Sequence, residues 1–376
     1  AQGFDALLGN PAGLASEKGE LTIYGLTAWT YADPLGLIQA VFDADPLAAA
    51  NFAEDQIEGA GFGFGVHEGV AYVGRGVAMG AAIDLEAFLR GSPADTAAAG
   101  DLYYTVALYT GYAHPFDLGP VTLSLGVLAR PMFRLRVPLL GAAVPPSTGY
   151  SIMQDLVDAL FQGGDPMATL NTTNGLFGIG LGVDLGAVLE MGGLRLGLTV
   201  TDALGTRFHY TEDAVGDILT ALEDTGAFPA GGPAVEGHII PADLSVGASY
   251  RLDIDALRGR FDAVFHAGTS DLGEVIRGER SILLGLHAGT EVRLWDSLAL
   301  RAGFNQGYLT FGLGAALYVV DLNLAYFSRE MGDGFRETRD GKPLSLRLYV
   351  TNDSPENQTA AKLIAGWFED VGLDIT

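Results

Sequence analysis

Cysteine is absent from this 376-residue chain, which removes disulfide frameworks, thiolate metal sites and cysteine nucleophiles together. Long apolar runs are absent too: no stretch approaches the roughly 20 residues that a membrane-spanning helix needs, so such a helix is excluded. Basic residues are scarce. Only 21 Lys and Arg face 46 Asp and Glu, for a formal net charge of −25; so acidic a chain cannot neutralise many phosphates, which argues against a nucleic-acid partner. Six histidines (His67, His114, His209, His238, His266, His287) show no metal-ligand spacing, and no Gly-x-Ser-x-Gly elbow occurs. The glycines from Gly61 to Gly65 recur with period two, as in a strand, rather than as a phosphate loop. Composition and motifs therefore read as a protein that is not an enzyme and uses neither cofactor nor metal.

Apolar side chains are present in quantity but thinly spread. Hydrophobic residues make up 48% of the chain at a mean hydropathy of +0.25, alongside 53 Gly, and they tend to fall at every second position. Period-two alternation marks half-buried strands. Strands are expected at 20–31, 59–73, 77–90, 101–114, 121–139, 173–190, 193–210, 242–253, 259–269, 281–294, 297–305, 308–319, 321–329 and 343–350, about fourteen in antiparallel order. Their connections alternate in length. Short turns fall at 74–76, 116–120, 191–193, 254–258, 295–297 and 320–321, and long connections at 32–58, 91–100, 140–172, 211–241, 270–280 and 330–342; the link near Gln306 departs from the rule. Tight turns at one end opposite long loops at the other are what single-chain outer-membrane barrels show. The expected fold class is an all-β membrane protein, an antiparallel transmembrane β-barrel with short helices in its extracellular loops, in a bacterial outer membrane.

Parity along each strand separates a lipid face from a lumen face. In 121–139 every odd position is apolar, from Val121 through Phe133, Leu135 and Val137 to Leu139, while the even positions carry Arg130, Met132, Arg134 and Arg136. All three arginines are thus expected to point inward, since an arginine at the lipid midplane costs about 2–4 kcal/mol. In 193–210, Leu194, Leu196, Leu198 and Val200 are expected outward, and the same register carries Arg207 and His209 inward, opposite Phe208 and Tyr210. Asp202 falls on the outward parity, so a bulge, a kink or a position above the lipid is expected there. In 173–190 the inward set Gly178, Gly180, Gly182, Asp184 and Gly186 is small and is expected to leave room in the lumen.

Three long connections carry helical spacing, at Leu35–Phe42, Ile152–Phe161 and Val215–Leu222. Each is amphipathic and needs an apolar partner: the barrel rim, or a greasy ligand it helps to capture. Loop acids such as Asp43, Asp45, Glu54, Glu212, Asp217 and Asp224 read as solubilising, with divalent-cation or lipopolysaccharide contact as the alternative. Ala1-Gln2-Gly3-Phe4 resembles what remains after cleavage behind a small-residue site, and the chain is expected to be a processed form with its signal peptide removed.

The run from Gly3 to Ala15, with Asn10-Pro11-Ala12 just before the first strand, resembles the Asn-Pro-Ala motif of the long-chain fatty acid transporter (FadL-type) outer-membrane barrel superfamily. Members are fourteen-stranded barrels whose N-terminal segment folds inward as a plug or hatch. The resemblance implies that Asn10, Pro11 and Ala12 belong to such a hatch, within a segment covering 1–19, and that a barrel occupies 20–350. It also implies diffusion of a hydrophobic small molecule, a long-chain fatty acid by default, from an apolar outer groove through the barrel and past the hatch. Physically, Asn can bond its own backbone and Pro fixes φ, which makes a rigid turn; a simple lead into the first strand is the plainer alternative.

Arg130, Arg134 and Arg136 are the expected seat of a ligand carboxylate, with Met132 beside them covering an acyl chain, and Arg207 with His209 form a second group. Pairing with acids such as Asp184 or Glu291 for structural reasons is the competing role. Expected partners are the hydrophobic ligand, outer-membrane lipid and lipopolysaccharide. A non-transporting barrel that serves an assembly, periplasmic or secretion partner is the alternative function. Residues 341–376 resemble a strand–helix–strand piece of periplasmic peptide-binding proteins, so 351–376 is expected to be either a periplasmic helical tail behind a closing strand at 343–350 or a truncated extra domain.

Overall fold

The computed structural model describes residues 5–15, 19–33, 55–59, 61–91, 99–140, 171–225, 236–252, 260–295, 297–317 and 320–328, single positions in other connections, and the pairs 51–52, 345–346 and 374–375. Period-two alternation becomes strand throughout: β1 (Glu20–Tyr31), β2 (Phe62–Gly74), β3 (Val77–Arg90), β4 (Ala99–Asp117), β5 (Thr122–Leu140), β6 (Asn174–Met191), β7 (Leu194–Thr201), β8 (Thr206–Ala214), β9 (Glu236–Ile240), β10 (Asp243–Leu252), β11 (Phe261–Thr269), β12 (Leu286–Leu294), β13 (Leu298–Asn305), β14 (Tyr308–Leu317) and β15 (Val320–Tyr326). These form one 15-stranded sheet, in the order β1 to β7 and then β10 to β15, with β8 on β6 and β9 on β8. Every register resolved in this sheet is antiparallel. No described helix is long and apolar enough to cross a membrane. Arg75-Gly76 and Gln306-Gly307, each at positive φ in both residues, make the mirror-image two-residue turns whose twist matches paired strands.

The chain divides into two compact units. The first comprises 1–116, 124–187 and 199–242. On one sheet face Ala71 and Val73 of β2, Ala78 and Ala82 of β3, Ala107 and Tyr109 of β4, and Leu128 and Met132 of β5 form a buried cluster. The opposite face leaves Val70, Tyr72, Met79, Leu108, Leu125 and Val127 exposed, as parity requires. Higher on β5 the expectation fails. Phe133, Leu135, Val137 and Leu139 are buried rather than open to lipid, in a second cluster with Ile57, Phe177, Val215 and Ile218. Helix α2 (Val215–Thr225) lays its apolar stripe over them, so the helical spacing read at 215–222 is met, and its apolar partner is this strand. The other two helical readings lie almost wholly outside the described residues.

The expected single strand 193–210 is divided. Thr201 ends β7, Asp202 takes positive φ (48°), and β8 resumes at Thr206. The irregularity expected at Asp202 is therefore present, and it reverses the facing of the residues beyond it: Phe208 and Tyr210 are each 1% exposed in the inner cluster, whereas Arg207 and His209 are exposed. Their expected inward facing is corrected. The interruption consumes an odd step of the alternation, so every later side chain changes face. β9 lies in what was expected to be loop, and its edge is held by β8, with Phe208 opposite His238.

The second unit comprises 117–123, 188–198 and 243–376. Its registers align β10 to β15 so completely that the two faces can be read row by row. One face carries Tyr250, Phe265, Val292, Leu300, Phe304, Leu309, Phe311, Leu313, Leu322, Leu324 and Tyr326, with Leu324 at 72% exposure and Phe304 at 55%. Its only polar members within β10–β15 are Thr269 and Thr290. The other face carries Arg251, Asp262, His266, His287, Glu291, Arg293, Arg301, Asn305 and Asn323, spaced by glycine. Of the expected closing strand 343–350 only β16 (Ser345–Leu346) is described; it pairs in parallel with β17 (Asp374–Ile375), and a parallel pair needs a crossover connection.

Candidate functional site

The N-terminal segment forms the first half of the site. A short helix α1 (Asp5–Leu8) and a 3-10 turn (Pro11–Ala15) pack Ala6, Leu7 and Leu14 into the inner cluster of the first unit, Leu14 at 0% exposure. Asn10 joins them to the sheet. Its side-chain oxygen accepts from the Ala12 amide at 2.9 Å, its side-chain nitrogen donates to the Ala187 carbonyl at 3.2 Å, and the Gly13 amide donates to the Asn10 carbonyl at 2.9 Å. This is the self-bonded turn that Asn favours. The seat for Pro11 and Ala12 is made by two glycines: a Cβ on Gly126 would strike the Pro11 carbonyl group, and one on Gly186 would strike the Asn10 side-chain oxygen.

The glycines of β6 therefore leave no open room. Gly178 lies under Tyr210, Gly180 under Phe208 and Thr206, Gly182 under Asp202, Arg130 and Met132, and Gly186 under Asn10 and Ala12. Small residues were needed because other parts of the chain occupy that space, which corrects the expected vacancy.

The three arginines share the inner face of β5, as parity requires, but their surroundings differ. The Arg130 Nε lies 2.8 Å from Asp184 and its Nη2 3.1 Å from Asp202, both buried carboxylates. Asp184 also accepts the Asp202 amide at 2.8 Å, and Thr206 donates to Asp202. Arg130 thus ties β5, β6 and the β7–β8 interruption together. Arg136 donates its Nε to Asp101 of β4 at 2.9 Å. Among the described residues Arg134 donates only to the Thr105 hydroxyl, at 3.2 Å, with its guanidinium 5.5 Å from the Tyr103 ring centroid and 5.0 Å from that of Phe208. Among the described residues no carboxylate pairs with it. Met132 lies buried beside it.

Arg134 is thus a cation held between two aromatic rings with spare N–H groups, a setting able to receive an anionic head. Arg207 and His209 do not join it. Tyr103 and Phe208 were missed: Phe208 because the interruption reversed its facing, Tyr103 because parity alone does not name cross-strand neighbours. Counting back from the hairpin closed by Leu118 and Val121 does place Thr105 across from Arg134, so that much was available in the sequence.

In the second unit a groove of about 760 Å³ crosses the apolar face. Ala248, Ala267 and Ala288 form its floor, and Leu196, Val246, Leu286 and Phe304 its walls, with Leu283 of a short helix (Ile282–Gly285) at the rim.

No protein-family model and no curated protein matches the chain. Among solved structures it is similar to the deltaS2 mutant of the monoaromatic hydrocarbon channel TodX, at 13% identity and a TM-score of 0.42 over 85% of this chain and 86% of that one. It is also similar to the toluene transporter TodX of Pseudomonas putida, at 13% identity and a TM-score of 0.39 over 85% and 86%.

Proposed function

We propose that this protein lies in a bacterial outer membrane, closes its sheet as a barrel, and lets hydrophobic small molecules diffuse through. The observation that carries this is the division of faces in β10–β15: a broad apolar surface, largely exposed, backs onto a polar one. A soluble protein rarely exposes a contiguous apolar surface larger than a few hundred Å², whereas strands between lipid and an aqueous lumen require the alternation. Outer-membrane lipid and lipopolysaccharide are then the partners of the apolar face.

Within this proposal Asn10, Pro11 and Ala12 act as the hatch, seated on Gly126 and Gly186. A long-chain fatty acid is the finer proposal for the ligand. Its carboxylate would pair with Arg134. Arg130 and Arg136 already have carboxylate partners and serve to hold the wall. The apolar groove over Ala248, Ala267 and Ala288 offers a hydrophobic molecule a first resting place.

The test is to purify the protein in detergent, extract what it carries and identify it by mass spectrometry, for the unaltered chain and for Arg134→Gln. A defined fatty acid or hydrocarbon is expected, with the fatty acid lost in the variant. Absence of any ligand together with a stably co-purifying protein would refute the transport function in favour of a scaffold.

A further inference from the structure

The polar face of the second unit contains a built hollow that the passage of hydrophobic molecules does not use. Gly289 of β12 lies opposite Gly303 of β13, so two adjacent strands present bare backbone. His266 flanks Gly289 on β11, and Thr310 flanks Gly303 on β14. One step along the strands stand His287 and Asn305, directly opposite each other; one step the other way stand Glu291 and Arg301. With Phe327 at the side, these border an open hollow of about 470 Å³.

Its chemistry is polar at both ends and flat between. Arg301 donates its Nε to Glu291 at 2.6 Å and its Nη1 to Asn323 at 2.8 Å, while its Nη2 has no partner among the described residues. Arg293 donates to the other Glu291 oxygen at 2.9 Å. Two guanidinium groups share one carboxylate, which leaves positive charge here in a chain of net −25. At the far end His287 and Asn305 make no side-chain hydrogen bond among the described residues, and neither do His266 and Thr310.

We propose that this hollow binds a compact organic carboxylate, its head on Arg301, its body over the Gly289–Gly303 floor against Phe327, and a polar group at its other end on His287 and Asn305. A bare inorganic anion is too short to reach both ends, since the two rows are four residues apart, roughly 13 Å along the strand. A metal ion lacks ligands: Glu291 is already shared between two arginines, and no group of three ligating side chains occurs among the described residues. A wholly apolar guest would leave these donors and acceptors unmatched, which is unfavourable. The site is independent of the proposed transport of hydrophobic compounds, because it needs only a polar face open to water.

The probe is 4-hydroxybenzoate, followed by ligand-observed NMR against the full chain in detergent, with empty micelles as the blank and 4-hydroxybenzyl alcohol as the neutral comparator. Binding in the millimolar range or tighter is expected, with the alcohol about tenfold weaker or worse. Arg301→Gln should raise Kd about tenfold, and His287→Leu and Asn305→Leu about threefold each. The last two leave the Glu291–Arg301 pair intact, so they report on the hollow even where Arg301→Gln disturbs folding. Loss in all three variants supports the site. No binding by the unaltered protein, equal affinity in every variant, or loss in Arg301→Gln alone would overturn it, the last by reducing the contact to a surface ion pair.

Discussion

Arg130, Arg134 and Arg136 share a strand and a face, and their neighbours give them different roles. Arg130 sits against two buried carboxylates, so Arg130→Gln leaves Asp184 and Asp202 without their cation. Breaking a buried pair in this way costs about 3–5 kcal/mol, measurable as a fall in the urea midpoint of protein folded into lipid vesicles. Arg134 has two rings and one hydroxyl, so Arg134→Gln should cost only about 1 kcal/mol while weakening oleate binding about tenfold. Comparable destabilisation by both changes would contradict the division of roles. Parity made the inward facing of all three legible in the sequence. Their partners were not legible, because Asp184 and Asp202 lie 54 and 72 positions from Arg130 and come to it only through strand order. Asn10 is a further single-residue test. Asn10→Ala removes the bonds to Ala12 and Ala187, and the segment 5–15 should become open to protease while the strands stay resistant; unchanged protection would show that Leu7 and Leu14 hold it without Asn10.

The interruption between β7 and β8 shows how one element redirects another. An ionised side chain on the outward parity announced an irregularity at Asp202, but its size was not legible. One odd step sends Phe208 and Tyr210 inward and Arg207 and His209 outward. The predicted consequence is asymmetric. Phe208→Ala empties a fully buried site and should cost about 3–5 kcal/mol, whereas Arg207→Ala should stay within about 0.5 kcal/mol. Urea unfolding of the two variants checks this, and an uninterrupted strand would give the opposite order. Helix α2 makes a related point: its apolar spacing was evident, but its partner was not, because parity alone gives Phe133 to Leu139 a lipid-facing side, and only the tertiary structure sets Val215 and Ile218 above them. An element's period shows which face is apolar; what covers that face is decided by tertiary packing.

At the scale of the whole molecule the most legible feature was also the simplest, the alternation of apolar and polar positions over β10–β15. It needs no partner residues to be known, only strand and turn, which is why the order of strands and the separation of faces were available from the sequence. Strand β9, short and set within a long connection, was not. The central claim is that the apolar face meets lipid and that hydrophobic compounds pass along the protein's interior. Its most direct test is uptake of labelled oleate and toluene by bacteria lacking their own channels for such compounds, with and without this protein folded in the outer membrane. Faster uptake of both is expected when the protein is present, with Arg134→Gln slowing oleate and sparing toluene. Equal uptake with and without a correctly folded, membrane-inserted protein would contradict it.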